Sequence, residues 1–157
     1  MKFTSRFKKI FYLFFTTLFV TGTVWWYLDK FVRVKGAFGE DHHPAQEILI
    51  RIHGTVAYFT LLIIGYLIHS HIRPGLKHKK KRSFVTGWVM IIATAILILS
   101  SVFDLFGPEG MIHETLVQIH RYVGLFFPAI LAIHLIDRRL TAPKGNEPHH
   151  RHGHGPL

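Results

Sequence analysis

The stretch IHGTVAYFTLLIIGYLIHSHI, residues 52–72, contains no Asp, Glu, Lys or Arg. A helix of about 20 apolar residues is as long as the hydrocarbon core of a bilayer is thick. Two further runs, residues 10–28 and 83–103, are also free of charge, and residues 115–136 are interrupted only by Arg121. The sequence therefore predicts an all-α integral membrane protein whose four helices cross the lipid bilayer as a bundle.

The first of these runs also has a feature of a signal peptide, because it is preceded by four basic residues, Lys2, Arg6, Lys8 and Lys9. Its length, and its exit through residues 25–27 (WWY) with no small-residue cleavage site, favour a retained membrane span. We therefore expect residues 1–142 to form one four-helix domain. Residues 143–157 have no apolar periodicity and predict a flexible, His-rich cytoplasmic tail.

An internal repeat relates the second and fourth spans. Residues 47–53 (EILIRIH) and 114–120 (ETLVQIH) match in Glu, Leu, Ile and His at one constant offset. Each segment follows a span and a glycine-containing loop. This pattern predicts a duplicated helical hairpin in which the second and fourth spans run in the same direction, and it makes His53 and His120 equivalent.

The net charge of +10 is distributed as a topology signal. Basic residues cluster before the first span, in residues 77–82 and after the fourth span, whereas residues 104–114 contain Asp104, Glu109 and Glu114 and no Lys or Arg. By the positive-inside rule, both termini and residues 77–82 are predicted to be cytoplasmic, in a bacterial inner membrane. We therefore expect no nucleic-acid partner.

Histidines at the ends of the second and fourth spans are the candidate metal ligands. His120 and His134 are separated by just under four helical turns, about 21 Å, so both face nearly the same side of the fourth span. On the second span, His53 and His71 are separated by about five whole turns. His69 lies closer in depth to His134 but is turned roughly 160° away from His53 in a straight helix. Helical phase therefore favours His71, with His69 as the alternative.

Two parallel helices with such histidines can pair them level with level. His53 and His120 would then hold one haem b near the outer face, and His71 and His134 a second one near the cytoplasmic face. Imidazole on both sides of the iron leaves no open position, which suits electron transfer rather than oxygen chemistry. The chain has no cysteine, so covalently attached c-type haem and thiolate-held iron–sulfur clusters are excluded within it.

Two segments also resemble known membrane cytochromes. Residues 120–124 (HRYVG), with His134 fourteen residues after His120, resemble the last haem-binding span of small di-haem b-type cytochromes, including the cytochrome b subunits of hydrogenases and formate dehydrogenases. The chain is also similar to a stand-alone four-helix group termed cytochrome b/b6-like or DUF4405-like. The residues that carry this similarity are 53–54 (HG), Gly65 and 71–73 (HIR), which a basic loop follows. The resemblance covers roughly residues 10–140. It implies that the chain binds non-covalent haem b and that His53, His71, His120 and His134 are the haem ligands. The first span has no histidine, unlike the hydrogenase and formate dehydrogenase subunits.

These observations predict transmembrane electron transfer between the quinone pool and a redox partner on the outer face, such as a multihaem cytochrome or an iron–sulfur protein. A quinone is a second candidate ligand. The chain has little material outside the membrane, so we expect an electron-transfer subunit of a quinol-oxidoreductase system rather than a free-standing enzyme. The alternative is a non-redox membrane subunit, a transporter component or assembly factor, with structural histidines. A membrane di-iron or zinc enzyme is disfavoured because the sequence has no His-Glu-x-x-His motif.

Overall fold

The computed structural model describes residues 4–36, 39–77 and 83–140. Four long helices dominate it, and all four are long and apolar enough to cross a membrane. The elements in chain order are α1 (Ser5–Phe31), β1 (Arg33–Gly36), β2 (Gly39–His42), α2 (Ala45–Leu67), a π-helical turn (Ile68–Ile72), α3 (Arg73–Lys77), α4 (Ser83–Phe106) and α5 (Met111–Leu140). The predicted all-α membrane fold is confirmed, with one short β-hairpin added between α1 and α2.

Local sequence signals set the ends of these helices. The Thr4 hydroxyl caps α1 by accepting a hydrogen bond from the Phe7 amide at 3.3 Å, as an N-cap threonine commonly does. Strands β1 and β2 pair antiparallel, with Arg33 opposite His42. Gly110 enters α5 with φ +142°, a conformation that L side chains rarely adopt. These short connections keep consecutive helices antiparallel.

The helices form two hairpins. Helix α1 packs along α2, α4 packs along α5, and α1 also contacts α5. Phe15 on α1 meets Phe127 on α5 with ring centroids 5.5 Å apart. Helices α2 and α5 do not approach each other as closely, backbone to backbone, as the helices within each hairpin do. The side chains of His53 on α2 and His120 on α5 meet between them.

Burial in the bundle is inverted relative to a water-soluble protein. Among the described residues, the buried hydrophobic side chains are Ala93, Phe127 and Leu131, whereas the buried polar ones are Thr21, Gln46, Ser70, Ser100 and Asp137. Large apolar side chains such as Leu62 and Leu99 are about 70% exposed. In a bilayer, apolar side chains can face lipid at no cost while polar ones must be satisfied inside the protein. The chain is therefore an integral membrane protein with a polar interior.

The second membrane span is not a straight helix. Residues 68–72 form a π-helical turn, in which the Arg73 amide donates to the Ile68 carbonyl, five residues earlier. Pro74 follows directly, and proline can neither donate to the carbonyl four residues before it nor pack against it. That carbonyl belongs to Ser70, at the centre of the turn. The straight-helix phase that separates His69 from His71 in the sequence therefore does not hold here.

The predicted domain end at residue 142 and the predicted tail, residues 143–157, lie outside the described residues. So does most of the predicted cytoplasmic loop, residues 78–82.

Candidate functional site

His53 on α2 and His120 on α5 face each other across the gap between the hairpins. Their ring centroids are 6.4 Å apart and the ring planes meet at 77°. A metal–imidazole bond is about 2.0–2.1 Å long and the ring centre lies about 1 Å beyond the nitrogen, so two imidazoles on opposite sides of one metal have centroids about 6 Å apart. A direct hydrogen bond between the two rings would bring the centroids to about 5 Å. The observed separation is too long for a direct hydrogen bond between the rings, and it is compatible with a metal between them as well as with edge-to-face ring contact.

The hydrogen bonds at His53 determine which ring nitrogen is available. Its Nδ1 lies 3.1 Å from the Thr21 hydroxyl on α1. That hydroxyl donates its own hydrogen to the Thr17 carbonyl at 2.7 Å, so it accepts from His53 Nδ1–H. Nε2 of the neutral ring then carries the lone pair, as ligation requires.

His120 is held in the same way from α4. Its Nδ1 lies 3.0 Å from the Ser100 hydroxyl and 3.1 Å from the Leu97 carbonyl. A carbonyl only accepts, and the Ser100 hydroxyl already donates to the Ile96 carbonyl at 2.6 Å. Nδ1 of His120 must therefore be protonated, which leaves Nε2 as the nitrogen that could bind a metal. Metal-bound histidines commonly have this outer hydrogen bond, which fixes both tautomer and ring orientation.

His134, at the other end of α5, has a third arrangement of this kind. Its Nδ1 lies 3.1 Å from the Thr86 hydroxyl, and that hydroxyl donates to Asp137 Oδ2 at 3.1 Å. Asp137 is buried, with 8% of its surface exposed. A carboxylate acting through a hydroxyl thus orients this imidazole and again leaves its Nε2 available.

The spacing on α4 matches the spacing on α5. Thr86 and Ser100 are separated on α4 by the same stretch of chain that separates His120 from His134 on α5. Because the two helices are antiparallel, each hydroxyl meets one histidine. The second hairpin therefore positions both of its candidate ligands by itself.

Two glycines on neighbouring helices lie close to the rings of two candidate ligands. A Cβ added to Gly22 would lie 3.0 Å from Cε1 of His53, and one added to Gly87 would lie 3.8 Å from Cε1 of His134. A side chain at position 22 would thus press on the His53 ring, whereas one at position 87 would have ordinary room. Both follow a threonine that bonds the same histidine, so the dipeptide Thr-Gly occurs once in α1 and once in α4.

The π-helical turn places the two remaining candidates in different surroundings. His71 is half-buried and lies within electrostatic range of His134. His69 is exposed. Burial therefore favours His71 over His69 as the residue that faces the bundle.

The two arginines near the His53–His120 pair have different partners. Arg51 is exposed and pairs with Glu47 one turn away on α2. Arg121 is less exposed and lies 5.2 Å over the Trp25 ring, with its Nη2 3.7 Å from Asp29. Only Arg121 is turned toward α1 and the bundle interior.

Two facing imidazoles, as at His53 and His120, are a donor set that would suit haem iron, because a porphyrin supplies the other four nitrogens. The sequence draws attention to the histidines but not to their partners Thr21, Thr86, Ser100, Gly22, Gly87 and Asp137. The Thr-Gly dipeptides are the available signal, because the same pair occurs in the two spans that lack histidine.

No family model matches the chain, and no curated protein or solved structure matches it either.

Proposed function

We propose that this chain is a small di-haem membrane cytochrome b, of the cytochrome b/b6-like kind, which passes electrons across the membrane. His53 with His120, and His71 with His134, would each hold one non-covalent haem b. The observation that carries the proposal is the facing of His53 and His120 at 6.4 Å with each Nδ1 bonded to a neighbouring helix.

Haem b would supply one-electron chemistry, and the protein's part would be to orient it and to hold its iron through the paired histidines. Thr21, Ser100 and Thr86 fix the imidazoles in the Nδ1–H tautomer. Hydrogen bonds of this kind hold the ring positions and would lower the cost of ligation.

The spacing of the two levels supports passage of electrons across the membrane. The separation of His120 and His134 corresponds to about 21 Å along α5, most of the hydrocarbon thickness. We propose that electrons pass between the quinone pool and an outer-face redox subunit, such as a multihaem cytochrome or an iron–sulfur protein. The location is a bacterial inner membrane with both termini in the cytoplasm, which the positions of basic residues support.

The test is the haem content of the purified full-length chain. We expect a red protein with two haems b per chain by pyridine haemochrome assay and a low-spin spectrum in both redox states. His120→Ala should lose the haem of the His53–His120 pair and retain the other, with circular dichroism as the control for folding. A colourless, folded wild type would overturn the proposal in favour of a non-redox subunit with structural histidines.

A further inference from the structure

Gln46, in the first turn of α2, is the most unusual polar side chain in the bundle. It is 5% exposed, and neither its Nε2 nor its Oε1 has a hydrogen-bond partner within residues 4–36, 39–77 and 83–140. Its backbone amide, by contrast, donates to the His43 carbonyl at 2.9 Å. A buried amide without partners is costly, and buried amides in folded proteins are nearly always satisfied by protein, water or a ligand.

The position of Gln46 relates it to the His53 site. Gln46 precedes His53 by seven residues, which in an α-helix is about 10.5 Å and within about 20° of two full turns. The two side chains therefore share one face of α2. His53 uses that face to approach His120 on α5.

The internal repeat gives a comparison within the same chain. At the offset that aligns His53 with His120, Gln46 corresponds to His113 on α5. His113 is half-buried, and its Nε2 lies 3.3 Å from both Oδ1 and the backbone carbonyl of Asp104. One of the two equivalent positions is thus satisfied by the protein, whereas the other, Gln46, presents an amide that is not.

We propose that the Gln46 side-chain amide donates a hydrogen bond to a propionate carboxylate of the haem held by His53 and His120. The inference rests on the proposed function and adds a specificity-determining residue to it. A macrocycle held from α2 and α5 would lie between these helices. If its propionates point toward the first turn of α2, they come within reach of Gln46, on the face that this residue shares with His53. The propionate carboxylates are the anionic groups at the edge of this ligand, and an amide N–H is a donor that can satisfy them inside the bundle.

The experiment compares two ligands and two matched variants in the full-length chain. Haem-free protein with His134→Ala, which leaves only the His53–His120 pair intact, is titrated with haem b and with its dimethyl ester, whose carboxylates are capped. Gln46→Leu removes the amide at the buried position. Gln118→Leu makes the same change at an exposed position on α5, two residues before His120.

Gln46→Leu should weaken haem b binding about 10- to 100-fold, because a hydrogen bond to a charged group is lost. Binding of the dimethyl ester should be unchanged, and Gln118→Leu should affect neither ligand. The haem-free Gln46→Leu chain should also unfold about 2–4 °C higher than its parent, because an unsatisfied buried amide has been removed.

Each other result contradicts the inference. Equal weakening of both ligands would mean that Gln46 acts on the fold and not on the carboxylate. No weakening of either would mean that a buried water or another ligand, such as a quinone, satisfies the amide. Failure of the parent chain to bind any haem would overturn the proposed function as well, and this outcome is recognisable before any Gln46 variant is made.

Discussion

Gly22→Ala tests how closely α1 confines the His53 ring. An alanine Cβ at this position would lie 3.0 Å from Cε1 and 3.3 Å from Nδ1 of His53, whereas ordinary contacts begin at 3.4 Å. The imidazole must therefore retreat by a few tenths of an ångström. The ring is rigid, so its Nε2 moves with it or α1 moves away from α2.

A displacement of this size matters for ligation. Metal–ligand distances tolerate about ±0.2 Å, and the same movement disturbs the bond between His53 Nδ1 and the Thr21 hydroxyl. Loss of such an outer hydrogen bond commonly weakens metal binding about 10- to 100-fold. We expect that loss at the His53–His120 level only. Alanine is also the better helix former by about 1 kcal/mol, so reduced helix propensity would not explain the result.

Gly87→Ala is the matched control, since its Cβ would lie an ordinary 3.8 Å from His134 Cε1. Haem titration of each full-length variant, followed by the low-spin absorption spectrum, should show one weakened site in Gly22→Ala and two intact sites in Gly87→Ala. Two haems of unchanged affinity in Gly22→Ala would refute the reasoning. Equal losses in both variants would show that the distance to the ring does not determine the effect.

Three further predictions concern the ligands, their partners and the topology. His71→Ala should lose the haem shared with His134 while His69→Ala retains it, by haemochrome assay; the reverse result would mean that the π-helical turn presents His69 instead. Ser100→Ala should weaken haem binding about 10- to 100-fold, because the hydrogen bond to His120 is lost. Ser101→Ala is the control, since it removes a bond to the Ile98 carbonyl and should leave haem binding unchanged. Equal haem affinity in the two variants would argue against orientation of His120 by Ser100. A reporter that works only in the cytoplasm should be active when fused to the C-terminus, and one that works only in the periplasm should be inactive there. Activity of the periplasmic reporter would show that the chain is oriented the other way in the membrane.

The four spans could be predicted from sequence because charge-free runs of this length have few other stable structures. The facing of His53 and His120 was also accessible, since an internal repeat relates the two segments. Helical phase fails at one place, between residues 68 and 72. Pro74 is visible in the sequence, but proline can bend, end or distort a helix, and periodicity alone does not distinguish among these outcomes.

The partners of the histidines are harder to predict. A threonine or serine in a membrane span usually bonds to its own helix, as Thr55 and Thr60 do here. Thr21 and Ser100 make that local bond and also contact a ring on another helix. The second contact depends on the rotation and depth of the neighbouring helix, which no local pattern specifies.

The five polar residues that are buried within the described part of the chain connect the fold with the proposed site. Thr21 and Ser100 bond the facing histidines, and Asp137 acts on His134 through Thr86. The others are Ser70, at the centre of the π-helical turn beside His71, and Gln46, two turns from His53 on the same face. In a bilayer, a buried polar group must be satisfied inside the protein. Three of these five side chains are satisfied by contacts that also orient an imidazole, directly or through one hydroxyl, so much of the polar burial in the described bundle serves its histidines.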